Sequence, residues 1–192
     1  IGNHSSGKMG FEIAKTAANL GAEVFLISGP SHQKATHSFI HRIDVKSAQE
    51  MYDTCHQYYS DVDVAILSAA VADYRPKNVS SQKIKKATAA LSIELEPTKD
   101  ILKSLGELKT NQLLVGFALE TNNEIENAKS KITRKNLDFI VLNSLQDKGA
   151  GFATDTNKIT IIDADFNEKP FELKSKKAVS KDIVDEIISK IS

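Results

Sequence analysis

One cysteine, Cys55, stands in 192 residues; tryptophan is absent, and 25 lysines and arginines cancel 25 aspartates and glutamates. A single thiol excludes an internal disulfide and a cysteine-based zinc site, which suits a reducing compartment. Balanced charge excludes a general nucleic-acid surface and an acidic tail, so any basic site must be local. No apolar run reaches the ~20 residues that a bilayer-spanning helix needs, and nothing has the layout of a secretion signal. The expectation is therefore a cytoplasmic protein with no nucleic-acid or membrane partner. The five histidines show no ligand spacing, so no metal site built from protein side chains is expected. A chain of this length can bury roughly 70% of its unfolded surface, which predicts one core and a single domain over 1–192. Because it opens at Ile1 inside a motif, we expect it to be a piece of a longer polypeptide.

What is present is a regular alternation of elements. Met9, Ile13, Ala14, Ala17 and Leu20 recur at helical spacing, with Ser5 or Ser6 as N-cap and Gly21 as stop. Apolar strands are predicted at 22–28, 41–45, 62–71, 112–119 and 139–143. Between them lie helices, with Ser47 and Glu50 as a capping box, Thr98 as the cap of a short helix, and Thr121 with Glu124 as a second box. Strands that are nearly continuous in apolar residues imply a parallel sheet covered on both faces. The fold class is α/β, a Rossmann-like three-layer arrangement. Two insertions interrupt it. A polar loop from 74 leads through KIKK to LSIELE, which alternates like an exposed strand, and 158–163 with 169–176 reads as a hairpin before a terminal helix.

In open α/β sheets ligands bind outside the carboxyl ends of the strands. Four segments should meet there: 3–10, SAAVADYR (68–75), GFALETN (116–122) and LNSLQDKGAGF (142–152). Gly2 to Lys8 matches G-x-x-x-x-G-K, but no strand precedes it and Met9 replaces the magnesium-binding Ser or Thr. It is a cradle for phosphate or carboxylate at a helix start, or simply a polar turn. Lys8 faces either a phosphate or solvent. Asn3 can polarise a carbonyl or close the turn. Lys83 and Lys85 point the same way if extended, as a flap over an anion would need, or form a solvated face. Asp73 suits a ribose hydroxyl, a metal or a loop cap. Lys131, Arg134 and Lys135 crowd a helix end, where cations offset the dipole. The second strand ends in Ser28, Gly29 and Pro30 rather than an acid, which disfavours NAD and leaves NADP open.

NHSSGKMG, SAAVADYRP, KIKK, LVGFALETN, KNLDFIVLN and GFATDTNKITII, in this order over essentially the whole chain, resemble the phosphopantothenoylcysteine synthetases, the phosphopantothenate–cysteine ligases. In bacteria these form the C-terminal domain of a bifunctional protein that also carries a flavin-dependent decarboxylase. The resemblance implies a step of coenzyme A biosynthesis. The carboxylate of 4′-phosphopantothenate is activated by CTP as an acyl-cytidylate, and L-cysteine then displaces CMP. It implies Asn3 and Lys83 as catalytic residues. It further implies Ala69, Ala70, Asp73, Lys83, Thr98, Lys99, Asp100, Ile101, Phe117, Lys131 and Lys135 as CTP-binding positions, with Mg2+ accompanying the triphosphate. FMN would belong only to a separate N-terminal decarboxylase domain. A homodimer joined through the KIKK to LSIELE region is implied, with a higher oligomer if a decarboxylase domain is fused. Family members carry a first strand and an Asp-Pro-Val-Arg stretch upstream of the asparagine, and neither occurs in this sequence. Two other readings remain: an NADP-dependent Rossmann oxidoreductase, and a non-catalytic nucleotide-binding or dimerisation module.

Overall fold

The computed structural model describes residues 5–80, 82, 92–120, 122–144 and 155–191. Asn3, Lys83, Lys85, Lys86 and Thr121 lie outside the described residues.

Helix α1 spans Lys8–Asn19 and buries Phe11, Ile13, Ala14 and Ala18. Its N-cap is Gly7 at φ 74° rather than a serine. This left-handed backbone is inexpensive only for glycine. The hydroxyls of Ser5 and Ser6 instead accept from the Gly7 and Lys8 N–H groups and fold the turn ahead of the helix. Strand β1 (Val24–Ser28) pairs in parallel with β2 (Ile40–Asp44), and α2 follows at Ala48–Tyr59. Ser47 caps α2 as predicted, its Oγ accepting from the Glu50 N–H at 3.1 Å, while the Glu50 carboxylate reaches one residue past the box partner to accept from the Lys46 N–H at 2.9 Å.

Strand β3 is Val64–Leu67, shorter than the apolar run, which leaves 68–73 free to form a loop. A two-stranded antiparallel ribbon, β4 (Tyr74–Pro76) with β5 (Leu95–Pro97), leads into α3 (Ile101–Leu108). Asp100, not Thr98, caps α3, accepting from the Lys103 N–H at 3.0 Å. The Thr98 hydroxyl is engaged elsewhere, donating to the Ala72 carbonyl. Next come β6 (Leu113–Glu120), α4 (Glu124–Lys135) and β7 (Phe139–Ser144). The N-cap of α4 is Asn123 at φ 47°, without a cap bond from its own side chain; the expected box rests on Thr121, outside the described residues.

After β8 (Thr156–Asn157), the hairpin forms from β9 (Ile159–Asp163) and β10 (Glu168–Pro170). Its second arm is shorter than expected, because β11 (Lys174–Ser175) turns away to pair with β8 before α5 (Lys176–Ile191). The main sheet has the order β10-β9-β7-β6-β3. β3, β6 and β7 are parallel, and the hairpin extends the sheet antiparallel from β7. Among the described residues, β1 and β2 form a separate parallel pair.

Consecutive residues of the central strands serve opposite faces. Leu114, Ala118, Ile140 and Leu142 pack with Met51, Ile101, Leu105, Ala128 and Ile132 from α2, α3 and α4. Leu113, Val115, Phe139 and Val141 pack with Ile13, Val179, Ile183 and Ile187 from α1 and α5. Burial on both faces is why these strands lack the alternation of a half-exposed sheet.

Candidate functional site

The loop after β3 is fastened from two sides. A Cβ on Gly10 would come within 2.9 Å of Ser68 Oγ, so the first turn of α1 lies directly against the start of this loop. On the other side the Thr98 N–H donates to the Asp73 carbonyl at 2.9 Å, and its hydroxyl to Ala72 at 2.6 Å. Ala72 and Asp73 are thereby stitched to Thr98, just ahead of α3. Asp73 is exposed. Lys99 lays its ammonium 4.3 Å from the centre of the Tyr52 ring, a cation–π contact. Ile101 is 5% exposed and belongs to the core, so only its backbone is available to a ligand.

The two α4 lysines expected at the nucleotide are both paired with carboxylates. Lys131 donates to Glu120 Oε1 at 2.5 Å, and Asn127 donates to Glu120 Oε2 at 3.2 Å. This cluster stands at the carboxyl end of β6. One turn further along α4, Lys135 reaches Asp100 at 2.8 Å. The approach is enforced by Gly106, where an added Cβ would lie 1.9 Å from the Lys135 carbonyl oxygen. α3 and α4 therefore cross at backbone contact. Burial acts to raise the Asp100 carboxyl, but the Lys135 ammonium and the Lys103 N–H outweigh it and hold it below the usual 3.8. Asp100, Lys103, Arg134 and Lys135 line a cavity of about 230 Å³.

Phe117 is not gathered with this group. It is half-buried and packs into the α1/α5 cluster, on the opposite face of the sheet from Ile101 and its neighbours. Period-two alternation along β6 dictates that separation.

Sequence reasoning missed a second charged cluster. Lys8 pairs with Asp155, at 2.6 Å, and its side chain stays about one-third exposed. The Lys8 ammonium holds the Asp155 carboxyl below its ordinary value. Lys176, at the start of α5, is only 4% exposed. Burial lowers its pKa, the neighbouring Lys8 adds to the effect, and Asp155 partly opposes it. In the sequence Lys176 sits in KSKK, indistinguishable from a solvated run. Glu120 was also missed, although GFALETN contains it, because nothing local marks its partner eleven residues on. Cys55 is half-buried, and burial pushes its thiol up to about 11, far from a reactive thiolate. Among the described residues no group of three or more His, Cys, Asp or Glu side chains is placed to hold a metal ion.

A Rossmann-like α/β domain, with loops gathered at its strand ends and paired lysines on α4, is the class that fold and site define. The family described as the DNA/pantothenate metabolism flavoprotein C-terminal domain matches residues 1–191, and the chain belongs to it. It is 44% identical over 185 residues to the coenzyme A biosynthesis bifunctional protein CoaBC of Bacillus subtilis, covering 96% of this chain and 46% of that protein. It is 52% identical over 190 residues to a cysteine/cysteine sulfinic acid decarboxylase of an unknown prokaryotic organism, covering 98% of this chain and 53% of the relative. The crystal structure of the C-terminal domain of a CoaBC protein superposes with a TM-score of 0.83 at 43% identity, covering 98% of this chain and 85% of that one. The chain spans about half the length of the curated relatives it matches.

Proposed function

We propose that this domain is a phosphopantothenate–cysteine ligase acting in coenzyme A biosynthesis and using CTP. The observation that carries the reading is its similarity in sequence and fold to the C-terminal domain of CoaBC, 43% identical at a TM-score of 0.83. In the first step a carboxylate oxygen of 4′-phosphopantothenate forms a bond to the α-phosphorus of CTP as the bond to pyrophosphate breaks. In the second the amine of L-cysteine attacks the acyl carbon, CMP leaves with the C–O electron pair, and the amine gives up a proton. Activation is needed because a carboxylate becomes an acylating agent only once its oxygen belongs to a good leaving group.

Within this reading Asn3 steadies the oxyanion of the second step, and Lys83 offsets charge on the acyl-cytidylate. Asp73, Ala69, Ala70, Thr98, Lys99, Asp100, the Ile101 backbone, Lys131 and Lys135 receive the nucleotide. The α4 lysines support this by their placement: Lys131 and Lys135 are each held by one carboxylate, Glu120 and Asp100, which orients the ammonium groups without burying them fully. Mg2+ would be held chiefly by the triphosphate, as this ion commonly is. FMN belongs to any decarboxylase portion rather than to this domain, and the expected setting is the cytoplasm. The domain acts as a homodimer through the KIKK to LSIELE region.

The test is pyrophosphate release from CTP, ATP, GTP and UTP with 4′-phosphopantothenate present and cysteine withheld, with carbon dioxide release from cysteine alone as a control. Release with CTP that depends on phosphopantothenate, followed by amide formation on adding cysteine, is expected. Lys83→Gln should keep the first step and stall the second. Silence with all four nucleotides overturns the reading, and NADP binding would then be measured.

A further inference from the structure

The α3/α4 cavity holds more positive charge than its own residues neutralise. Three cations, Lys103, Arg134 and Lys135, face one carboxylate, Asp100. That carboxylate is already committed. Asp100 Oδ1 accepts from the Lys103 N–H at 3.0 Å and from Lys135 Nζ at 3.1 Å, and Oδ2 lies 2.8 Å from Lys135 Nζ. Among the described residues Lys103 has only Glu107 as an ion-pair partner, 3.7 Å away and itself exposed. Arg134 has no carboxylate within ion-pair distance among the described residues, and its one hydrogen bond runs from Nε to the Ser130 carbonyl at 3.3 Å. A guanidinium carries five donors in a planar fork matched to carboxylate and phosphate oxygens. Four of these remain available at the wall of a cavity of about 230 Å³.

We infer that Arg134, assisted by Lys103, makes this cavity a phosphate-gripping subsite, with Asp100 holding Lys135 beside it. The inference rests on the ligase reading and deepens it. The ligand chemistry is a phosphate monoester or polyphosphate, which in that reaction has two sources: the triphosphate of the nucleotide and the phosphomonoester of the acyl substrate. Lys135 is pinned by Asp100, so its charge is already neutralised before the ligand arrives. Arg134 is the group that gains a partner on binding, and its loss should therefore weaken capture without altering the bond-making steps.

The experiment is steady-state kinetics of wild type, Arg134→Gln, Arg134→Lys and Lys103→Gln, varying CTP and 4′-phosphopantothenate in turn, with thermal unfolding as a control for folding. Arg134 and Lys103 are exposed, so all variants should fold. The expected result is a KM about tenfold higher in Arg134→Gln for one substrate, the size of one lost charge-assisted contact, with kcat little changed. Lys103→Gln should move the same KM by less, and Arg134→Lys should fall between Arg134→Gln and wild type. The substrate whose KM moves names the source of the phosphate. Unchanged KM for both substrates overturns the inference while leaving the ligase reading intact. If the wild type is inactive, the ligase reading has failed, and titration with inorganic pyrophosphate still reads the cavity. Binding about tenfold weaker in Arg134→Gln supports the subsite; equal binding, or none in wild type, overturns it.

Discussion

Asp100 does three jobs with one carboxylate: it caps α3, pairs with Lys135 and borders the cavity. Its sign of pH dependence follows. A carboxyl held below 3.8 in the folded chain stabilises the fold above that pH, and the contribution is lost as pH falls through its lowered folded value. Asp100→Asn should thus unfold at lower denaturant than wild type at pH 7, with the gap narrowing below about pH 4. An equal gap at pH 7 and pH 3 would show that the lost stability is not that of the charge. The residue type alone also misled at this scale. Thr98 and Asp100 are both good N-caps, and the sequence could not tell that Thr98 would be drawn off by the Ala72 carbonyl. Ile101, counted among the nucleotide contacts, has its side chain in the core, which leaves its backbone for a ligand.

At the scale of elements, the α3/α4 crossing is what places Asp100, Lys103, Arg134 and Lys135 together. It depends on Gly106, since a Cβ there would fall 1.9 Å from the Lys135 carbonyl oxygen and 2.8 Å from its carbon. Backbone atoms cannot rotate aside as a side-chain end can. Gly106→Ala gains up to about 1 kcal/mol of helix propensity but forces the helices apart, and the net expectation is a loss of about 3 kcal/mol. In a domain of this size that corresponds to a Tm lower by roughly 6–12 °C. A Tm within a degree of wild type would refute the close crossing. Element identity was largely legible: the helices at α1, α2 and α5, the five apolar strands and the late hairpin all form. Boundaries were less so, because loop and strand compete at 68–71 and the apolar pattern runs on past the last ladder bond of β3.

For the whole molecule, the β4/β5 ribbon forms a two-stranded sheet apart from the main one. It carries only six paired residues, and Tyr74, Ile93 and Leu95 are 53%, 60% and 38% exposed. A two-stranded ribbon with an apolar surface is marginal alone, which is the physical ground for expecting a second copy to cover it. Sedimentation should give a dimer at micromolar concentration, and Leu95→Asp should shift it to monomer. A wild type that stays monomeric at about 100 µM, far above the Kd of a stable dimer, would remove the ribbon as an interface.

The sequence by itself determined the α/β class, the order of its elements and the family resemblance, because these depend on local periodicity and on strings of adjacent residues. Tertiary structure decided where the charges went. Lys8 found Asp155, Lys131 found Glu120, Lys135 found Asp100, and Arg134 was left, among the described residues, with only a backbone carbonyl. It also put Phe117 on the opposite sheet face from Ile101, and buried Lys176. A lysine on a helix surface looks the same in sequence whether or not a distant carboxylate reaches it. Its role is set by which segments the packed sheet and the α3/α4 crossing bring within about 3–4 Å, where Coulomb attraction and hydrogen bonding become strong enough to matter.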